Sequence, residues 1–314
     1  MSILRTAFLK ASESAWLRER APRHRFVRRS VARFLPGESA DDALAAARRL
    51  ADSGVSTLLS QLGENIEHRS EAESVVNQYR DVLARIHAAG LPSDLSVKLT
   101  QLGLDLDPEF CFANLAQLAE AALAASTPGG GTIWIDMEHS PYVDATLEIY
   151  RRARAKFPNV AVCVQAYLYR TEKDVESLIA QGANVRLVKG AYDEPSEIAF
   201  PRKLDVDENY FRLAQMLLGA EARRSGARVA LATHDRKLIA RIADWAATQG
   251  IPRDRLEFDM LYGIQRAEQL RLVREGYRCR VLVSYGSYWF PWFMRRLAER
   301  PANVLFLARN LWGG

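Results

Sequence analysis

The chain is poor in cysteine and histidine and has no long apolar run. Its three cysteines, Cys111, Cys163 and Cys279, lie far apart with no CxxC spacing. That argues against a disulfide framework and gives no zinc pattern, so a reducing cytoplasm fits best. His24, His68, His87 and His139 show no ligand-like spacing around His234, so no metal is expected, and His234 is read as a hydrogen-bond donor to a ligand. No uninterrupted apolar segment approaches membrane-spanning length, and the first residues lack the apolar core of a secretory signal. Neither sign of charge dominates: 43 Lys and Arg against 38 Asp and Glu leave +5, with a pI of about 9.1. That excess is too modest for a dedicated nucleic-acid binder, and no nucleic acid is expected. It leaves anionic substrates and anionic membrane surfaces open as partners.

Hydrophobic residues at 48% and charged residues at 26% describe an ordinary globular protein. A length of 314 residues exceeds the usual domain, although an α/β barrel can use it as one. The first 33 residues are rich in arginine, from Arg5 to Arg33, while Glu13 and Glu19 count against a transit peptide. Residues 1–50 are read as a basic N-terminal helical arm, and residues 51–314 as the catalytic domain.

Short β-branched or apolar runs alternate with segments of helical period, the rhythm of βα units. Eight candidate strands follow in order: 55–63, 95–103, 132–138, 160–168, 185–192, 228–235, 256–261 and 280–286. They predict an α/β fold of the (β/α)8 TIM-barrel type. In such barrels chemistry gathers at the C-terminal strand ends, which here carry Glu64, Lys98, Asp136 with Glu138, Gln165, Arg186 with Lys189, Thr233 with His234, and Asp259. The opposite ends begin with turn residues such as Gly131, Asn159 and Asn184. "TPGGGT" (127–132) precedes its strand instead of following it, and is read as a connection, not a phosphate loop.

Several chemistries stay open on these residues. Lys189 could be a Schiff-base lysine, although Arg186 three positions earlier argues for anion binding. Asp136 and Glu138 could act as an acid/base pair only if the strand stays extended through both. After the last strand, Trp292, Arg295, Arg296 and Glu299 share one helical face, and Phe290, Phe293, Met294 and Leu297 another. Pro301 supplies the stop.

Seven ordered stretches, "SVKLTQLG", "IDMEHS", "VQAYLYRT", "VRLVKGAY", "LATHD", "FDMLYGI" and "RRLAERPAN", resemble the proline dehydrogenase family from about Leu58 to Asn303. The resemblance implies a distorted (β/α)8 barrel that uses FAD to oxidise L-proline to Δ1-pyrroline-5-carboxylate and passes electrons to a membrane quinone. It implies that Arg295 and Arg296 clamp the substrate carboxylate, joined by Lys98, with Asp136 ordering that side of the pocket. A guanidinium suits this role because it recognises a carboxylate through two parallel bonds. Glu64 would pair with Arg295 as a gate, and Glu299 would hold Lys98 or an arginine.

On the cofactor side Arg186 would sit by the flavin N5, with Val188, Lys189, Gly190, Ala191 and Tyr192 along the cofactor and Gln165, Thr233 and His234 touching its ring or phosphates. The enzyme is expected in the cytoplasm, with peripheral contact at the inner membrane left open, or in the mitochondrial matrix of a eukaryote. Two positions depart from the pattern. Leu282 stands where the family has the tyrosine that packs on the proline ring, which brings in a substituted proline such as hydroxyproline as an alternative substrate. Asp259 stands where glutamine is usual. A Schiff-base lyase using Lys189 and a non-enzymatic anion-binding barrel are the other readings.

Overall fold

A computed structural model of the chain describes residues 31–63, 66–290 and 293–294. Helix α1 (Ala40–Ala51) leads into β1 (Ser56–Gln61), α2 (Arg69–Ala88), β2 (Ser93–Val97), α3 (Pro108–Ala124), β3 (Ile133–Ile135), α4 (Val143–Arg154), β4 (Val160–Gln165), α5 (Thr171–Ala180) and β5 (Val185–Val188). Then come α6 (Lys203–Leu217), the short α7 (Ala220–Arg224), β6 (Val229–Ala232), α8 (Arg236–Thr248), β7 (Glu257–Leu261), α9 (Arg266–Arg274) and β8 (Arg278–Tyr285). The eight strands close into one parallel barrel in sequence order, with β8 paired on β1. Number and order agree with the pattern of apolar runs.

Helix starts follow local chemistry. Ser39 and Asp42 form a capping box at α1, Asp107 caps α3 ahead of Pro108, and Asp235 caps α8; each supplies acceptors to first-turn N–H groups that the helix leaves unpaired. The outward residues of the strands, such as Leu95, Val97, Val162, Leu187, Leu231 and Val283, bury against the helices in one continuous core. Ala43, Ala46, Ala47 and Leu50 of α1 join it, which lets the helix lie close against β1 and β8.

All the strands but β8 are shorter than the expected ranges, and β2 and β3 matter most. After Val97 the backbone turns into a 3₁₀ helix at Thr100–Leu102, and β3 stops at Ile135. Lys98, Asp136 and Glu138 therefore stand on the turns beyond the sheet, where side chains need not alternate.

The register decides what fills the barrel. With the stagger such barrels carry, Leu58, Trp134, Arg186 and Asp259 of the odd strands form one inward layer. Ser96, Cys163, Ala232 and Leu282 of the even strands lie above it, toward the C-terminal ends. Asp94, Ala161, Ala230 and Arg280 lie below. Leu58, Trp134, Ala161 and Ala230 form a small apolar cluster against which Leu282 packs. Asp259, expected at a strand end, is thus inside the barrel.

The N-terminal end, where the sequence shows turn residues, holds a cluster of ion pairs. Arg228 pairs with Asp94 at 2.9 Å and with Glu257 at 2.6 Å, and Arg280 lies 3.2 Å from Asp94 and 3.3 Å from Glu257. Arg280 also donates to the carbonyls of Thr57 at 2.9 Å and Gly129 at 2.8 Å. The glycine loop thereby closes the floor. A Cβ on Gly130 would lie 2.5 Å from the Ser93 carbonyl oxygen, so the close approach requires glycine.

Candidate active site

At the mouth, the turn after β3 places the Asp136 carboxylate between three donors. Ser96 Oγ donates at 2.7 Å and Lys98 Nζ at 3.3 Å, and Arg186 forms an ion pair with it. Burial opposes ionisation of Asp136, but the charges of Lys98 and Arg186 outweigh it and hold the group below the usual carboxylate range. Arg186 also donates to Ser96 Oγ at 2.9 Å and lies over the Trp134 ring at 5.4 Å. Burial works against its charge too, yet Asp136 keeps it more firmly protonated than an ordinary arginine. Two cations against one carboxylate leave this group with a positive surplus.

Glu138 does not share the Asp136 face. It accepts from Thr100 Oγ1 at 2.8 Å and from the Thr100 N–H at 3.3 Å, and burial raises it above its ordinary range despite Lys98 and these bonds. The acid/base pairing of Asp136 with Glu138 is therefore not what this arrangement builds. Gln165 reaches the Glu138 carbonyl at 2.9 Å, tying β4 to the turn after β3.

His234 Nε2 accepts the Leu261 N–H at 2.8 Å. That places the ring proton on Nδ1 and makes the imidazole a donor, the tautomer the sequence reading requires. Thr233 Oγ1 accepts from the Asp235 N–H at 3.1 Å, fixing the turn into α8. Past β5, Gly190 has φ +120°, and a Cβ there would lie 2.3 Å from the Tyr167 ring; the backbone of Val188–Tyr192 is held against β4 by a contact only glycine permits. Tyr167 N donates to the Lys189 carbonyl at 2.9 Å.

Lys189 itself is ion-paired with Asp207 and, at 3.2 Å, with Asp235. Its amine is engaged by two carboxylates instead of being presented to the pocket, which argues against the Schiff-base reading. Leu282 faces the barrel interior as expected of a pocket residue. Tyr285, three positions on, belongs to the outward core and is buried there, so it cannot take the place of a tyrosine at 282.

Phe290 and Phe293 bury with Val31, Phe34, Leu35, Leu62 and Trp289, and Met294 packs on them. Trp289 Nε1 donates to Glu38 at 3.0 Å. Phe290, Phe293 and Met294 of the apolar face expected after β8 pack down near the end of β1, while Leu297 of that face lies outside the described residues. Glu64, Trp292, Arg295, Arg296 and Glu299 lie outside the described residues.

Sequence reasoning passed over Ser96 and Trp134. Each stands two positions before a recognised residue, Lys98 and Asp136 respectively, and period-two alternation points both inward. Among the described residues no group of three or more His, Cys, Asp or Glu is placed to hold a metal.

This donor set suits an anionic, planar cofactor. A buried arginine, a histidine donor and a glycine-bearing backbone edge gather on β4 to β6, while Lys98 and Asp136 stand on β2 and β3. The sequence profile of the family described as proline dehydrogenase matches residues 43–309. Proline dehydrogenase 2 of Bacillus subtilis subsp. natto is 37% identical over 311 residues, 99% of each chain. The proline dehydrogenase of Deinococcus radiodurans is 37% identical over 284 residues, 90% of each. The crystal structure of proline utilization A from Bdellovibrio bacteriovorus, inactivated by N-propargylglycine, superposes with a TM-score of 0.79 at 26% identity over 87% of this chain. The chain spans about a third of the length of that larger protein (33%).

Proposed function

The chain belongs to the proline dehydrogenase family of oxidoreductases, and from that premise we propose that it oxidises L-proline to Δ1-pyrroline-5-carboxylate with FAD as cofactor, passing the electrons to a membrane quinone. The observation that carries this reading is the Ser96–Lys98–Asp136–Arg186 network, in which a half-buried carboxylate fixes two cations at the barrel mouth. FAD, when bound, supplies the acceptor for a hydride from the ring carbon beside the substrate nitrogen.

Arg186, Gln165, Thr233, His234 and the Val188–Tyr192 backbone hold that cofactor. The Arg186 guanidinium offers fixed positive charge where reduction adds negative charge, an electrostatic contribution that needs no rearrangement during the reaction. Lys98 meets the substrate carboxylate together with Arg295 and Arg296. Asp136 is a positioning residue: it stays ionised between Lys98 and Arg186 and holds both in place. The substrate amine enters unprotonated and its proton leaves to solvent.

The apolar packing of Phe290 and Phe293 keeps water from this side of the pocket. Leu282, smaller and less flat than tyrosine, favours a second reading in which a substituted or larger cyclic amino acid is also accepted. The basic arm proposed for residues 1–50 lies outside the described residues over 1–30, while Ala40–Ala51 packs on the barrel; peripheral contact with a membrane would bring the quinone within reach. Among the described residues no helix is long and apolar enough to cross one.

The test is an anaerobic spectrum of the FAD-loaded protein. L-proline bleaches the flavin band without NAD. A preparation that takes up no FAD, or holds FAD that proline leaves oxidised, contradicts the proposal.

A further inference from the structure

Among the described residues, the charged groups inside the barrel are paired, with one exception. Asp94, Asp136 and Glu257 each hold ion pairs. Both carboxylate oxygens of Asp259 are buried without a hydrogen-bond partner, and the residue is only 4% exposed. It points inward from β7 in the same layer as Arg186, beneath Ala232 of β6 and Leu282 of β8. Arg186 is no partner to it, because its guanidinium is committed to Ser96 and Asp136.

The charged groups around Asp259 come from every side: Glu257 below it on β7, Arg186 on β5, Arg228 ahead of β6, and Arg280 on β8. The thiol of Cys279 and the hydroxyl of Tyr210 feel its charge as well. Burial and Glu257 favour the neutral carboxyl, the three arginines oppose them, and the group is pushed up to about 7. Arg228 and Arg280 at the floor face Asp94 and Glu257, and Arg186 faces Asp136 at the mouth, so the proton on Asp259 sets the charge of the layer between them.

We propose that Asp259 is the proton acceptor coupled to reduction of this site. The inference rests on the flavin reading above. The hydride carries two electrons and one hydrogen from the substrate carbon to the flavin, which gains one negative charge. In the same overall step the Asp259 carboxylate takes one proton from solvent and becomes a neutral acid. The negative charge of Asp259 is thereby removed from the Arg186 layer as negative charge is added to the site, while Arg186 keeps its pair with Asp136. A carboxylate level with Arg186, with no partner of its own, is the group this added charge disturbs most.

The experiment is the reduction potential of the FAD-loaded full chain, followed by spectroelectrochemistry from pH 6 to 8, beside Asp259→Asn. Above pH 7, where Asp259 is ionised in the oxidised protein, the wild type takes up one more proton per two electrons than the variant, and below pH 7 the two converge. Above that point the wild-type potential therefore falls more steeply by about 30 mV per tenfold change in proton concentration. Infrared difference spectra of the wild type alone show a protonated carboxyl band on reduction that moves when aspartate carries ¹³C, so the answer does not hang on the variant folding. Equal slopes, or no labelled carboxyl band, overturn the inference while bleaching by proline leaves the flavin reading intact. A chain that takes up no flavin overturns both.

Discussion

At the floor of the barrel, two carboxylates meet two guanidinium groups, and the carboxylate oxygens of Asp94 and Glu257 are shared between Arg228 and Arg280. At the mouth, one carboxylate, Asp136, faces Lys98 and Arg186. The floor carboxylates are buried, but Arg228 keeps 21% of its side-chain exposure, as much as Lys98 at 20% and Asp136 at 19% at the mouth, so charge balance and not exposure separates the two ends. The floor group is neutral while the mouth group keeps surplus charge. A balanced cluster can be sealed because each ion has a partner in place of water. An unbalanced one must stay accessible, and what it awaits is an anion. Trp134 sits between the two, under Arg186 at 5.4 Å and Arg228 at 5.0 Å, and separates them.

The sharpest break in this contrast comes from the floor. Glu257→Gln leaves Arg228 and Arg280 short of a charge in a buried site, and denaturant unfolding should show a loss of about 3–5 kcal/mol. The pH dependence has a definite sign. Glu257 is held down to about 2 by Arg228 and Arg280 against its burial. Its contribution is present above the usual carboxylate range and is lost as pH falls from there through 2. The variant's stability should be flatter over that window.

Asp259 should behave oppositely. Its carboxyl is raised to about 7, so ionising it penalises the folded state increasingly as pH rises from the ordinary range through 7. Asp259→Asn should stabilise the protein at pH 8 by on the order of 2–4 kcal/mol and change little at pH 4. Urea midpoints at the two pH values check this, and an equal shift at both would show that Asp259 is not strained by its charge.

At the mouth, Asp136→Asn leaves the buried Arg186 without its carboxylate, so it should cost stability as well as release Lys98 and Arg186 from their common anchor. Loss of charged bonds in such a site is worth roughly 1.5–3 kcal/mol, at least about tenfold in kcat/KM for proline. Unchanged efficiency would remove Asp136 from the site.

The smallest expected effect is at Leu282. Leu282→Tyr restores a flat wall against the substrate ring, and should shift the ratio of kcat/KM for proline over 4-hydroxyproline by the 1–3 kcal/mol typical of small pocket differences, roughly 10- to 200-fold at most. An unchanged ratio would show that Leu282 does not shape the pocket.

These two ends were not equally legible. The eight strands could be counted because each is an apolar run between turns, and Lys98, Asp136 and Arg186 stood out as polar residues closing such runs. The floor was hidden because Asp94, Arg228, Glu257 and Arg280 come from four separate stretches that only the closure and stagger of the barrel bring together. Asp259 was placed at a strand end because β7 continues two residues beyond it to Leu261, and no local pattern marks that point. The tautomer of His234 depended on the Leu261 N–H, 27 positions away. The partners of Lys189 on α6 and α8 were equally invisible, so its candidacy as a nucleophile survived until the structure supplied them.

The division of labour between floor and mouth is tested most directly by measuring, on Glu257→Gln and Asp136→Asn side by side, the anaerobic rate at which L-proline reduces the bound flavin per folded molecule. Glu257→Gln should reduce flavin at a near-normal rate, and Asp136→Asn at a rate at least about tenfold lower, each measured at temperatures where the variant remains folded. A slow, folded Glu257→Gln beside a fast Asp136→Asn would contradict it.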